Sequence, residues 1–238
     1  MVSIRGLGFG CAFAAGLTLL GGAPGQTGAA MAAVSDRCRV PDSYLAAIGT
    51  LDRTESLIGS RRAVRVLMLG PSLAGSMRRP TLETALEHRL PGVDFQITQV
   101  LSSGLAEDDF EWLRTAVSRS APDLVIWQVG VRDAVAASDV DQFQRVLDQA
   151  AGWIDARGAD LILVDPPFVP HVQHERIYVP YVGEISEVSR SEGVPLIRRY
   201  AAMQHLNLVA EKSHLPAATL QPCMPEIVAE AIGRAVAK

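Results

Sequence analysis

Residues 122–133 read Pro-Asp-Leu-Val-Ile-Trp-Gln-Val-Gly-Val-Arg-Asp, and this stretch decides the fold. From Leu124 to Val129 the segment is almost continuously apolar, the pattern of a parallel strand buried on both faces. Val64–Leu69 and Leu161–Val164 have the same character on either side of it. Phe95–Leu101 alternates instead, with Phe95, Ile97 and Leu101 set against Gln96 and Thr98, which predicts a strand nearer the sheet edge. Pro195–Ile197 completes a set of five strands.

Helical periodicity fills the intervals. Thr81–Leu90 places Leu82, Ala85, Leu86 and Leu90 on one face, and Ala106–Arg119 does the same with Phe110, Leu113 and Val117. Glu107, Asp108 and Asp109 stand in the first turn of that helix, where its dipole favours negative charge. Val140–Arg157 carries Phe143, Val146, Leu147, Ala150 and Ile154 and stops at Gly158. Val182–Glu192 stops at Gly193, and Pro225–Val236 closes the chain. Trp112 and Trp153 lie on patterned segments and are expected in the core. Strands alternating with such helices specify right-handed βαβ units. The expected architecture is a three-layer α/β/α sandwich on a parallel, flavodoxin-like five-stranded sheet. No repeat, low-complexity linker or composition break interrupts the chain after its N-terminal segment, so residues 34–238 are expected to form one domain.

Composition narrows the function classes. Of 238 residues, 48% are hydrophobic and 20% charged, enough apolar material for a substantial core. A formal net charge of −4 leaves no basic excess for a phosphate backbone, which argues against nucleic acid as partner. Residues 1–33 have the features of a cleavable secretory signal. Arg5 supplies positive charge, Cys11–Leu20 an apolar run, and residues 29–33 (Ala-Ala-Met-Ala-Ala) small residues for cleavage. The run is short of the roughly 20 residues a membrane span needs, although an uncleaved anchor is the alternative. The bulky Phe9 does not suit a lipoprotein site before Cys11. Gly6, Gly8 and Gly10 follow no strand and form no nucleotide loop. Export implies a periplasmic or secreted protein without a transmembrane span once the signal is removed. Signal removal leaves Cys38 and Cys223, an even pair for which an oxidising compartment favours a disulfide over two separate thiols.

In a sheet of this kind the working crevice lies beyond the carboxyl ends of the strands. The first strand runs into Gly70-Pro71-Ser72-Leu73-Ala74-Gly75, the second into Ser102-Ser103-Gly104, and the third into Gly130-Val131-Arg132-Asp133. Glu211-Lys212-Ser213-His214 precedes the last helix. In their order and placement these four blocks resemble the SGNH, or GDSL-type, hydrolases across the whole mature chain.

The resemblance implies a serine esterase. Ser72 matches the nucleophile, His214 the general base and Glu211 the acid that orients it, a Glu where the family uses Asp. Ser72 and Gly104 match the oxyanion amides. Arg132 stands where the family has an oxyanion Asn. A guanidinium is a stronger, permanently charged donor, but it is large enough to fill the pocket or to pair with Asp133. Pro71 replaces the Asp of the signature turn. The implied substrates are carbohydrate, lipid or small acyl esters, taken as small molecules or polysaccharide, with no metal or organic cofactor. His171 and His174 bracket a Pro-rich loop without an obvious third ligand, so a surface or substrate-loop role outweighs metal binding. Asp165, which ends the fourth strand, is expected to cap the adjacent loop, with a place in the crevice as the alternative. The rival reading is a binding protein that keeps the fold with a decayed site. A flavodoxin-like nucleotide binder is disfavoured by export and by the missing phosphate loop.

Overall fold

The computed structural model describes residues 34–45, 49–71, 78–169, 175–214 and 223–236. A short 3-10 turn at Asp36–Cys38 leads into α1 (Asp42–Leu45) and α2 (Asp52–Gly59). There follow β1 (Val64–Gly70), α3 (Arg79–Arg89), β2 (Phe95–Leu101), α4 (Ala106–Ser120), β3 (Leu124–Gln128), α5 (Val131–Ala136) and α6 (Val140–Asp155). The chain ends with β4 (Asp160–Val164), α7 (Glu175–Glu192), β5 (Leu196–Ile197), α8 (Arg199–Lys212) and α9 (Cys223–Ala235).

The five strands pair in parallel in the order β2-β1-β3-β4-β5. Alternating Cβ directions send neighbouring strand residues to opposite faces, and each face has its own helical cover. Val66, Met68, Ile126 and Ile162 pack beneath Leu82 and Leu86 of α3, Leu206 of α8, and Ile227 and Ile232 of α9. Leu67, Leu69, Val125, Trp127 and Leu163 face Leu113 of α4, Phe143 and Leu147 of α6, and Ile185 of α7. The alternating strand, β2, is an outer strand of the sheet, with Gln96 and Thr98 exposed.

Buried carboxylates tie neighbouring elements together. Arg89 donates from Nε to Glu230 Oε2 at 2.6 Å, which binds α3 to α9. At the amino end of β3, the carboxylate of Asp123 accepts from Arg65 Nε at 2.9 Å, from the Arg65 amide at 3.0 Å and from Arg53 Nη2 at 3.0 Å. Burial alone would raise the pKa of Asp123; these donors instead bring it down to about 2. Cys38 and Cys223 are joined in a disulfide with Cα atoms 5.0 Å apart, tying the segment before α1 to the first residue of α9. Among the described residues no helix is long and apolar enough to cross a membrane. The predicted signal segment lies outside the described residues.

Gly70 ends β1 with φ 155°, and a Cβ there would lie 2.4 Å from Gln128 Cβ. Gly70→Ala is therefore expected to destabilise the fold by about 2–3 kcal/mol, since overpacking and an unfavourable φ act together. Urea unfolding measures it; a loss below about 0.5 kcal/mol would show that β1 and β3 can separate freely at this point.

Candidate active site

The order 2-1-3-4-5 places β1 and β3 side by side with their crossovers leaving in opposite directions. This is the switch point outside which ligands bind in open α/β sheets. Gly70 and Pro71 lead from β1 toward Ser72, which itself lies outside the described residues, as do His171 and His174. Directly across, Gln128 ends β3, and Gly130 starts α5 in a left-handed conformation with φ 90°. A Cβ on Gly130 would press on Ile185 Cδ1 at 3.1 Å and Pro166 Cγ at 3.3 Å, so the turn is held close against the neighbouring segments.

The floor of this region is polar and buried. Gln128 Oε1 accepts from Arg199 Nη1 at 3.2 Å, and Arg199 is 2% exposed. Arg199 Nε is buried without a partner among the described residues. Burial lowers the Arg199 pKa to about 10, against the opposing pull of Asp165. Asp165 accepts from the Tyr200 amide at 2.8 Å and so caps the start of α8, a distant segment and not the adjacent loop expected from the sequence. Burial pushes its carboxyl up to about 7 despite the amides and arginines around it.

The loop after β2 is anchored to β3 and α5 by two carboxylates. Gly104 donates its N–H to Ser102 Oγ at 3.1 Å. Ser102 in turn donates its hydroxyl to Asp109 Oδ1, and Trp127 Nε1 donates to Asp109 Oδ2 at 3.3 Å. Asp133 Oδ1 accepts from the Ala106 amide at 3.0 Å, joining α5 to the first residue of α4. The expected alternatives for Arg132 resolve in part: its side chain is exposed and makes no ion pair with Asp133 among the described residues.

Glu211 and His214 stand at the other end of α8. Glu211 is exposed and accepts from Asn207 Nδ2 at 2.7 Å. His214 is exposed with φ 53°, and its amide donates to the Glu211 carbonyl at 3.2 Å, the left-handed end expected just beyond a helix. At about 1.5 Å rise per residue, α8 carries Glu211 roughly 18 Å along its axis from Arg199. The described residues thus place Gly104 and Arg132 beyond the carboxyl ends of β2 and β3, on either side of β1. They show no hydrogen bond from the Glu211 carboxylate or the His214 ring to either of them.

Sequence reasoning placed Asp109 in a first turn but missed its burial and its partners. A usable signal was present, because Asp109 falls on the inward stripe of Ala106, Phe110, Leu113 and Val117. Trp112, expected in the core, is 39% exposed. Trp153 is half-buried, edge-on to Phe110 and covered by the Arg157 guanidinium 4.1 Å from its ring centre.

Among the described residues no group of three His, Cys, Asp or Glu side chains is arranged to hold a metal. A cleft of about 600 Å³ runs between α3 and α9 past Pro80, Thr84, His88 and Pro225, and none of the expected site residues lines it.

Strand order, helical cover and the strand-end blocks together define an SGNH-type α/β/α hydrolase fold. Residues 37–238 match the non-GDSL lipase-like family, and the chain belongs to it. Similar solved structures share the fold at low identity. TesA is 20% identical with a TM-score of 0.56, the match covering 72% of this chain and 99% of that one. Axe2, an acetylxylan esterase from Geobacillus stearothermophilus, is 15% identical with a TM-score of 0.55, covering 74% of this chain and 94% of that one. A lipase/acylhydrolase from Enterococcus faecalis is 18% identical with a TM-score of 0.57, covering 72% and 96%. No curated protein matches the chain by sequence.

Proposed function

We propose that the protein is an exported serine hydrolase of carboxylic esters, with its crevice at the β1/β3 switch point. The observation that carries this reading is the convergence of three loops there. The chain leaving β1 toward Ser72, the Gly104 loop after β2 and the Arg132 turn after β3 all open on one end of the sheet. The family and the esterase and lipase names of the similar structures support the same chemistry.

In the proposed reaction the Ser72 hydroxyl attacks the ester carbonyl carbon while the His214 imidazole takes its proton. The tetrahedral oxyanion is held by the Ser72 and Gly104 amides and by Arg132. Collapse expels the alcohol, which receives the proton from His214 and leaves an acyl-serine. Water, deprotonated by the same imidazole, then releases the acid and restores Ser72. Glu211 lies three residues before His214 and would hold the imidazole by exchanging its bond to Asn207. The substrates are carbohydrate, lipid or small acyl esters. The Cys38–Cys223 disulfide supports an oxidising compartment, periplasmic or extracellular. Secretion of the full-length chain with loss of residues up to about Ala33, read by N-terminal sequencing, tests the export step.

The exposed Arg132 gives the site a charged donor where an amide is usual. Arg132→Ala is expected to lower kcat and kcat/KM together by at least about tenfold, the signature of a contact made mainly in the transition state. Arg132→Asn should recover part of that loss. If Arg132→Asn instead raises activity on short acyl esters, the guanidinium obstructs the pocket. An inert parent that stays inert as Arg132→Asn, while folded, would leave the binding-protein reading in place.

A further inference from the structure

Asp109 occupies a position that helix α4 otherwise reserves for apolar side chains. Its neighbours on the inward stripe are Ala106, Phe110, Leu113 and Val117, and Asp109 is 6% exposed. A carboxylate so placed loses its hydration, and burial pushes its pKa up, opposed by the hydrogen bonds from Ser102 and Trp127. Asp133 and Asp108 push it further in the same direction. A leucine would fill such a place at no electrostatic cost.

The arrangement of donors gives the carboxylate a task. Trp127 Nε1–H and the Ser102 hydroxyl are both donors, and each takes a different oxygen of Asp109. With its own proton committed to Asp109, Ser102 Oγ turns its lone pairs toward the Gly104 N–H, 3.1 Å away. The result is a chain of bonds from β3, through the carboxylate, to the one backbone amide of this loop that the proposed chemistry uses. An asparagine could not replace Asp109 in it, because its amide group would face one of the two donors.

We propose that Asp109 is a positioning residue for the Gly104 amide, fixing the 102–104 loop to Trp127 through the Ser102 hydroxyl. The catalytic meaning of this assignment rests on the ester-hydrolase reading. Ser102 Oγ is the acceptor the amide keeps while the crevice is empty. A developing oxyanion, being charged, is the stronger acceptor and takes the N–H over, and the amide needs no search because its direction is already set. Asp109 touches neither substrate nor nucleophile in this scheme and acts only through Ser102.

The test uses the full mature chain with amide hydrogen exchange at Gly104 followed by NMR, alongside ester kinetics. Asp109→Asn and Ser102→Ala should each speed exchange at Gly104 by about tenfold or more, while amides of β1 and β3 keep their protection. Ser102→Thr, which retains the hydroxyl, should exchange as the parent does. Adding Asp109→Asn to Ser102→Ala should bring little further change, since the two act through one link. In kinetics, Asp109→Asn should lower kcat by about ten- to a hundredfold with KM within about threefold. Should Asp109→Asn fail to fold, Ser102→Ala removes only one hydroxyl and carries the same exchange test.

Unchanged exchange at Gly104 in either variant overturns the assignment. So do fully additive effects in the double variant, or faster exchange with kcat unaltered in an active protein. A parent that is inert to esters and to a fluorophosphonate probe, yet shows the expected exchange pattern, removes the hydrolase reading and leaves the Asp109–Gly104 link standing.

Discussion

Ser72→Ala is expected to lower ester turnover by about ten-thousandfold or more and to abolish covalent labelling by a fluorophosphonate probe. Removing the nucleophile removes the acyl-enzyme route, so only binding and oxyanion stabilisation remain to accelerate attack by water. The probe reports an activated serine without any choice of substrate, and the labelled peptide identifies it by mass. His214→Ala should leave Ser72 in place but slow labelling by at least about a hundredfold, because the hydroxyl then lacks its base. This second variant is the sharper one. His214 lies exposed just beyond α8, with Glu211 bonded to Asn207. Labelling at the parental rate in His214→Ala would assign the base elsewhere and return His214 to a helix-ending role. Labelling that persists in Ser72→Ala would move the nucleophile altogether.

Loss of the Cys38–Cys223 bridge is the largest stability change expected. The bridge spans a sequence separation of 185 residues. Closing a loop of that length in the unfolded chain corresponds to about 5 kcal/mol in the chain-entropy treatment, and native bridges more often deliver about 2–4. The double variant Cys38→Ala with Cys223→Ala avoids a stray thiol and should lower Tm by about 5–15 °C. Both sulfurs are buried between the 3-10 turn and α9, so part of the loss will come from packing. Reduction of the parent separates the two contributions, since it opens the loop and keeps the sulfurs. A shift in Tm below about 2 °C in both experiments would show that the bridge does not constrain the unfolded chain.

The sheet was largely legible because its central strands are apolar on both faces, and each helix that packs broadly on it advertises a stripe. The elements that escaped were those whose buried face is not conspicuously apolar. Helix α8 buries Arg199, Ala202, Leu206 and Ala210 and leaves Leu208 and Val209 exposed, so its hydrophobic pattern points the wrong way. Helix α7 was expected to start at Val182 but begins at Glu175, because Pro180 lies inside it and reads in sequence as a break. Pro195 leads into β5, which is only Leu196–Ile197. The strand ends bearing Gly104 and Arg132 could be placed from sequence, since they follow directly from the strand pattern. The company those residues keep could not. Whether Asp133 bonds Arg132 or the Ala106 amide, and whether Gln128 meets a buried arginine from α8, depends on contacts between segments far apart in the chain.

The position of the disulfide also determines how the domain would bear a mechanical load. If the chain is pulled from Val34 and Val236, tension passes from Cys38 directly to Cys223 through the sulfurs. All five strands and helices α1 to α8 lie between those two cysteines and so fall outside the line of tension. Only the few residues before Cys38 and helix α9 would be stretched. A molecule held at those two points would keep its sheet unstrained until the bridge was reduced.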